Sequence, residues 1–345
     1  HLFANPIDKF RPSDKEIQRA LKKKKGSNLI YFGPGVHNLP NDTLFVPSGT
    51  TVYIDGGARV YGNIFTEGAH DVNIFGRGEV HPDGRGAGVW VRRSKNVRID
   101  GIVVSQLPIG QCDSVELTNV KSISYYGWGD GMDVFSSSNV ILDGVFCRNS
   151  DDCAAVYAST QGFKGGSNNV LVKNATLWAD VAHPINIGGH GDPNGMDTVQ
   201  NVTFRNIDIL DQAEKQIDYQ GCLAINPGDN TLVRNITFEN IRIEDFRNGQ
   251  LVNFRISFNP KYCVSTGRGI QNVLVKDVTY NGSGENLSII AGYDENHKIS
   301  GIRFVNLVVN GRKITDDMPG KPKWYKTGDM AGIFVGEHVE NISFE

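Results

Sequence analysis

"NVTFRNIDI", residues 201–209, holds two short runs of alternating apolar residues hinged on Asn206. Val202 and Phe204 alternate with polar neighbours before the hinge, and Ile207 and Ile209 do so after it. Period-two alternation marks a strand with one buried face. Asn is among the few residues that enter left-handed backbone at low cost, so the unit reads as strand, bend, strand. It recurs as "NVRIDGIVV" from Asn96, "NVILDGVFC" from Asn139, "NVLVKNATL" from Asn169, "NITFENIRI" from Asn235 and "NVLVKDVTY" from Asn272. Weaker copies begin at Asp71 and Asn119, and "GIRFVNLVV" and "NISFE" continue the series. Spacings run from 20 to 37 residues and grow toward the C-terminus.

A repeat of that length signals a solenoid, because one unit cannot bury its apolar face without neighbours. Helical repeats would need a period of 3.6, and leucine-rich repeats their Leu/Asn signature; neither is present. The expected fold is all-β, a right-handed parallel β-helix, with Asn side chains stacked at the bends. "SDKEIQRALKKKK" predicts a capping helix over about 13–25, opened by a Ser13/Glu16 capping box. Ile17, Ala20 and Leu21 share one face and are expected to cover the open first coil. No linker interrupts the series, so residues 1–345 read as a single domain.

Composition removes several function classes. The 345-residue chain carries a net charge of −3, and no basic stripe favours nucleic acid. No apolar stretch approaches the roughly 20 residues that span a bilayer. Five cysteines leave one unpaired whatever the connectivity, none at zinc-ligand spacing, so buried free thiols are expected. No metal or cofactor is expected.

The ionisable residues fall into register when counted from each anchoring Asn. Asp130 lies 11 residues after Asn119, Asp151 and Asp152 lie 12 and 13 after Asn139, and His183 lies 14 after Asn169. Successive coils stack roughly 4.8 Å apart, which gathers the four side chains on one patch of wall. Like charges at that range raise the pKa of at least one carboxyl, as a general acid requires. Asp133, Asp143 and Asp180 read as structural. Trp128, Tyr157 and Trp178 are expected near the patch, where aromatic faces suit sugars.

"WGDGMDVFSSSNV", "NSDDCAAVYA", "AHPINIGG" and "FRIS", in that order, resemble the motif series of the polygalacturonases, family 28 of the glycoside hydrolases. The family pattern is Asn-Thr-Asp-Gly, Asp-Asp-Cys, Gly-His-Gly-x-Ser-x-Gly and Arg-Ile-Lys. The resemblance implies an inverting, metal-independent hydrolase of a galacturonate-containing polysaccharide. Asp151 would then be the general acid, and Asp130 and Asp152 would activate water. His183 would tune the acid and touch substrate, with Arg255, Tyr293 and His190 binding sugar. It also implies a secreted or periplasmic monomer.

The sequence departs from that pattern at several places. Trp128-Gly129 stands for Asn-Thr, Pro184 follows the His, Asn186 replaces Ser, and Ser257 replaces the Lys that reads a uronate carboxylate. Lys261 and Arg268 are the nearby replacements. A "GGHG" places His190 seven residues after His183 but out of phase, so it is expected in a loop beside the groove. Three alternatives stand beside the pectic reading: a neutral-glucan or galactan hydrolase of dextranase type, a calcium-dependent lyase, and a non-catalytic carbohydrate-binding β-helix. A lyase needs a basic residue in phase with the acids, and none is seen.

Overall fold

The computed structural model describes residues 3–22, 27–82, 84–284 and 286–345. Asn206 has a φ of 56°, in the left-handed region. That one residue reverses which parity faces inward. Val202 and Phe204 before it, and Ile207 and Ile209 after it, are all fully buried. Asn139, Asn169, Asn174, Asn201, Asn235, Asn240, Asn272 and Asn306 share the conformation. The chain therefore turns without opening its apolar face to water.

Each turned unit hydrogen-bonds to the next in parallel register. Val140, Val170, Val202, Ile236, Val273, Ile302 and Ile342 form one continuous column of partners. Among the described residues the 28 strands join into a single sheet wound as a right-handed parallel β-helix. Every strand pairing is parallel except that of Ile299–Val309 with Arg312–Ile314. The core fills the bore from Leu39 to Phe344, and all five cysteines are buried free thiols.

The bends carry side-chain ladders. The Asn169 amide donates to Asn139 at 2.7 Å, Asn206 to Asn174 at 2.7 Å, Asn235 to Asn201 at 3.1 Å and Asn272 to Asn235 at 3.3 Å. An amide both donates and accepts, so identical residues on successive coils satisfy one another.

At the N-terminus, Asp14–Leu21 is helical, with the Ser13/Glu16 capping box formed, and it packs against strand Leu29–Phe32. Only Ile17 of its expected apolar face is buried, and Leu21 is 57% exposed. Lys23–Gly26, where the expected helix ended, lie outside the described residues. The segment ahead of the helix was not anticipated as structure. It crosses successive coils: Phe10 stacks on Phe75 at 4.3 Å, Tyr53 donates to Asp8 at 2.6 Å, and Phe3 meets Phe146 edge-on at 5.0 Å.

A third strand in each central coil positions the site. Met132–Phe135, Ala154–Tyr157, Ile185–Ile187, Leu223–Ile225 and Val252–Arg255 stack in that order. Met132 and Val134 point into the bore, so strand alternation turns Asp133 and Phe135 to the outer face. Ala155, Tyr157 and Asn186 share that face by register. Phe163 covers Phe135, Ala155 and Tyr157 as a small second core.

Candidate active site

The bend that feeds this third strand carries the acids. Asp130, Asp152 and His183 each stand two residues ahead of their strand, and the strands begin in register at Met132, Ala154 and Ile185. Backbone bonds from Gly131 to the Asp152 carbonyl (2.7 Å) and from Cys153 to the His183 carbonyl (2.8 Å) extend that register through the bend. The three side chains therefore form a column, with Asp151 one residue to its side. All four line one cavity of about 570 Å³.

Asp152 is 6% exposed, and its two oxygens receive four donors. The His183 amide (3.1 Å) and Nδ1 (2.6 Å) donate to Oδ1, and Tyr157 Oη and Asn186 Nδ2, both at 2.7 Å, donate to Oδ2. Burial opposes a charge there, but the His183 charge and these donors outweigh it and hold Asp152 down at about 2. His183 Nε2 meets the Tyr219 carbonyl, so both ring nitrogens face acceptors and both carry protons. Burial works against that cation, yet the Asp152 charge raises His183 to about 9. The pair is ionised.

Among the described residues Asp151 accepts from the Asp152 amide alone, at 3.1 Å. Burial, and then the charges of Asp152 and Asp130, push its carboxyl up to about 8. Burial and Asp152 raise Asp130 to about 6. Asp133, fully enclosed beneath, is raised well above the carboxylate range by burial and by the Asp130 charge. It keeps its proton and shares a hydrogen bond with Asp130. Asp133, expected to be structural, joins the site because alternation within "MDVF" turns it outward behind Asp130.

The remaining expected residues divide. His190 lines the cavity, its ring edge-on to Tyr157 at 5.1 Å. Trp128, 78% exposed, also lines it. Trp178 does not; it lies under the Arg148 guanidinium at 4.2 Å. Arg255 sits two coils beyond His183, outside the cavity lining, and donates to Asp218 at 2.7 Å. Tyr293 also lies outside the lining, packed edge-on to His297. Arg268 donates to the Asp197 and Asn230 carbonyls and does not reach the cavity. His183, expected to touch substrate and tune Asp151, is 4% exposed and is held to Asp152. Basic residues reach the cavity from outside the repeat phase: Lys215, Arg247 and Lys261 line it from loops.

Fold and site together define a parallel β-helix with a carboxylate-lined groove in its wall. Residues 88–318 match the family described as Glycosyl hydrolases family 28, and the chain belongs to it. A polygalacturonase of Juniperus ashei is 26% identical over 295 residues, covering 76% of this chain and 54% of that protein. A probable endopolygalacturonase D of Aspergillus oryzae is 25% identical over 339 residues, covering 88% and 61%. The chain spans about half the length of the curated relatives it matches. Among solved structures, the family 28 exopolygalacturonase of Yersinia enterocolitica superposes with a TM-score of 0.69 at 14% identity, over 97% of this chain and 76% of that one.

Proposed function

We propose that this chain is an inverting glycoside hydrolase acting on a galacturonate-containing polysaccharide. The observation that carries the reading is the split between adjacent Asp151 and Asp152. Their surroundings drive one above and the other below the ordinary carboxylate range. A carboxyl that keeps its proton near neutrality beside one that never holds it supplies an acid and a fixed negative field in one site.

In this mechanism Asp151 gives its proton to the glycosidic oxygen as the C1–O bond breaks. Water attacks C1 from the opposite face and passes its proton to Asp130, whose conjugate base is stabilised by the Asp133 hydroxyl. Asp152 has all four acceptor positions filled by protein donors. Its part is therefore electrostatic: it steadies positive charge developing on the sugar and keeps Asp151 protonated. His183 is a positioning residue for Asp152.

Support for the substrate comes from the relatives, whose names include polygalacturonase, exopolygalacturonase and endo-xylogalacturonan hydrolase. Such a polymer is met outside the cytoplasm, which suits a secreted or periplasmic enzyme. The test scores reducing ends released from polygalacturonate, rhamnogalacturonan, dextran and galactan, with proton NMR of the first product. Release from a uronan with inverted anomeric configuration is expected. Retention defeats the water-attack scheme, and release only from neutral glycans defeats the substrate.

A further inference from the structure

Asp130, Asp133, Asp151, Asp152, Asp180 and Glu214 line the cavity, and a uronate polymer brings more negative charge to it. Productive binding therefore needs cations that the protein has not already spent. Most nearby basic groups are spent. Arg247 pairs with Asp211 at 2.5 Å and with Asp180 at 3.6 Å, and Arg255 pairs with Asp218 at 2.7 Å. Two lysines differ. Lys215, on the segment 212–222, and Lys261, on the segment 256–268, line the acid cavity and make no ion pair among the described residues.

The surroundings of Lys261 orient its charge without neutralising it. Nζ lies 4.7 Å from the centre of the Tyr262 ring and 3.4 Å from Gln216 Oε1. Tyr262 Oη donates to that same Gln216 oxygen at 2.9 Å, and its ring stands edge-on to Tyr219 at 5.3 Å. Tyr219 in turn supplies the carbonyl that holds His183. A neutral amide and a ring face thus present an ammonium at the cavity, on a network that reaches the acid column.

We propose that Lys261, assisted by Lys215, reads the carboxylate of a uronate bound beside the acid cluster, supplying from a loop the cation that Ser257 does not. The assignment rests on the galacturonan reading above. It makes specificity a property of two loops and leaves Arg255 as a structural ion pair.

The test compares wild type, Lys261→Gln, Lys261→Arg and Lys215→Gln on polygalacturonate and on its methyl ester, with melting temperature as a folding control. Affinity for a galacturonate trimer is measured by calorimetry, each lysine change being paired with Asp151→Asn to stop turnover. Lys261→Gln is expected to lower kcat/KM on polygalacturonate about 10- to 100-fold, mostly through KM, the span of one charged hydrogen bond. Trimer affinity should fall by a similar factor, the methyl ester should be little affected, and Lys261→Arg should recover part of the loss. Lys215→Gln should have the smaller effect. Unchanged KM and trimer affinity in Lys261→Gln, with wild type active on polygalacturonate, overturn this proposal alone. A wild type that cleaves no uronan overturns it together with the substrate reading.

Discussion

Each central coil turns through an asparagine bend and an acid bend, and the two treat stacked polar side chains in opposite ways. At the asparagine bend the amides donate from coil to coil, Asn169 to Asn139, Asn235 to Asn201 and Asn272 to Asn235, so repetition satisfies the ladder. Carboxylates accept only, and a stack of them repels. The acid bend is stabilised by breaking the repetition: a cationic His183 stands next to an ionised Asp152, and a protonated Asp133 backs Asp130. Repetition builds the wall, and departure from it stores protons at defined positions.

The sharpest break in that contrast is at Asp151. Asp151→Asn keeps the shape but has no proton to give, and turnover should fall about 10²- to 10⁴-fold, read as initial rates on the cleaved polymer. The same change sharpens the stability comparison. A carboxyl raised to about 8 holds a proton in the native state that the unfolded chain has released, so stability falls as pH climbs from the ordinary carboxylate range through about 8. Asp151→Asn removes that dependence. Its melting temperature should gain steadily on that of wild type as pH is raised from 4 to 9.

His183→Ala leaves a buried carboxylate without its cation and should cost about 3–5 kcal/mol in denaturant unfolding. The pair has its own pH signature. His183 is raised to about 9, so its contribution is complete below the ordinary histidine range and is lost as pH rises through about 9. Asp152, depressed to about 2, contributes fully above the ordinary carboxylate range and loses this only as pH falls through about 2. Activity should follow a bell, rising as Asp130 deprotonates at about 6 and falling as Asp151 does at about 8. A profile still climbing above pH 9 contradicts the assignment of Asp151 as acid.

The smallest effect belongs to the other bend. Asn206→Ala forces a β-carbon into left-handed backbone and removes two ladder bonds, and should cost about 1–2 kcal/mol with kcat unchanged. Asn206→Gly keeps the backbone easy and should cost less. A rate change in either variant would show that the two bends are coupled.

The sequence made the wall legible because its physics is periodic: Val202, Phe204, Ile207 and Ile209 announce two faces and a hinge. The acid column was legible for the same reason, since counting from each Asn tracks position around the coil. What lay outside the period was hidden. Lys215 and Lys261 sit on excursions of the chain whose course no repeat dictates. The interval from His183 to Arg255 contains a whole extra coil, Leu223–Ile225, that motif order does not reveal. The crossing of residues 3–10 over successive coils depends on contacts such as Phe10 with Phe75, distant in sequence and unmarked by pattern.

The amide ladder also decides where this protein can be decorated. Asn174, Asn201 and Asn235 each begin an Asn-x-Thr sequon, the acceptor signal for N-linked glycans. In each, the Nδ2 that would carry the sugar already donates along the ladder, to Asp143, Asn168 and Asn201 respectively. Attaching a glycan there would take a donor out of the stack and set a bulky group between coils. In a glycosylating host, occupancy of these three sites and completion of the fold are competing outcomes, and the folded protein should carry them bare.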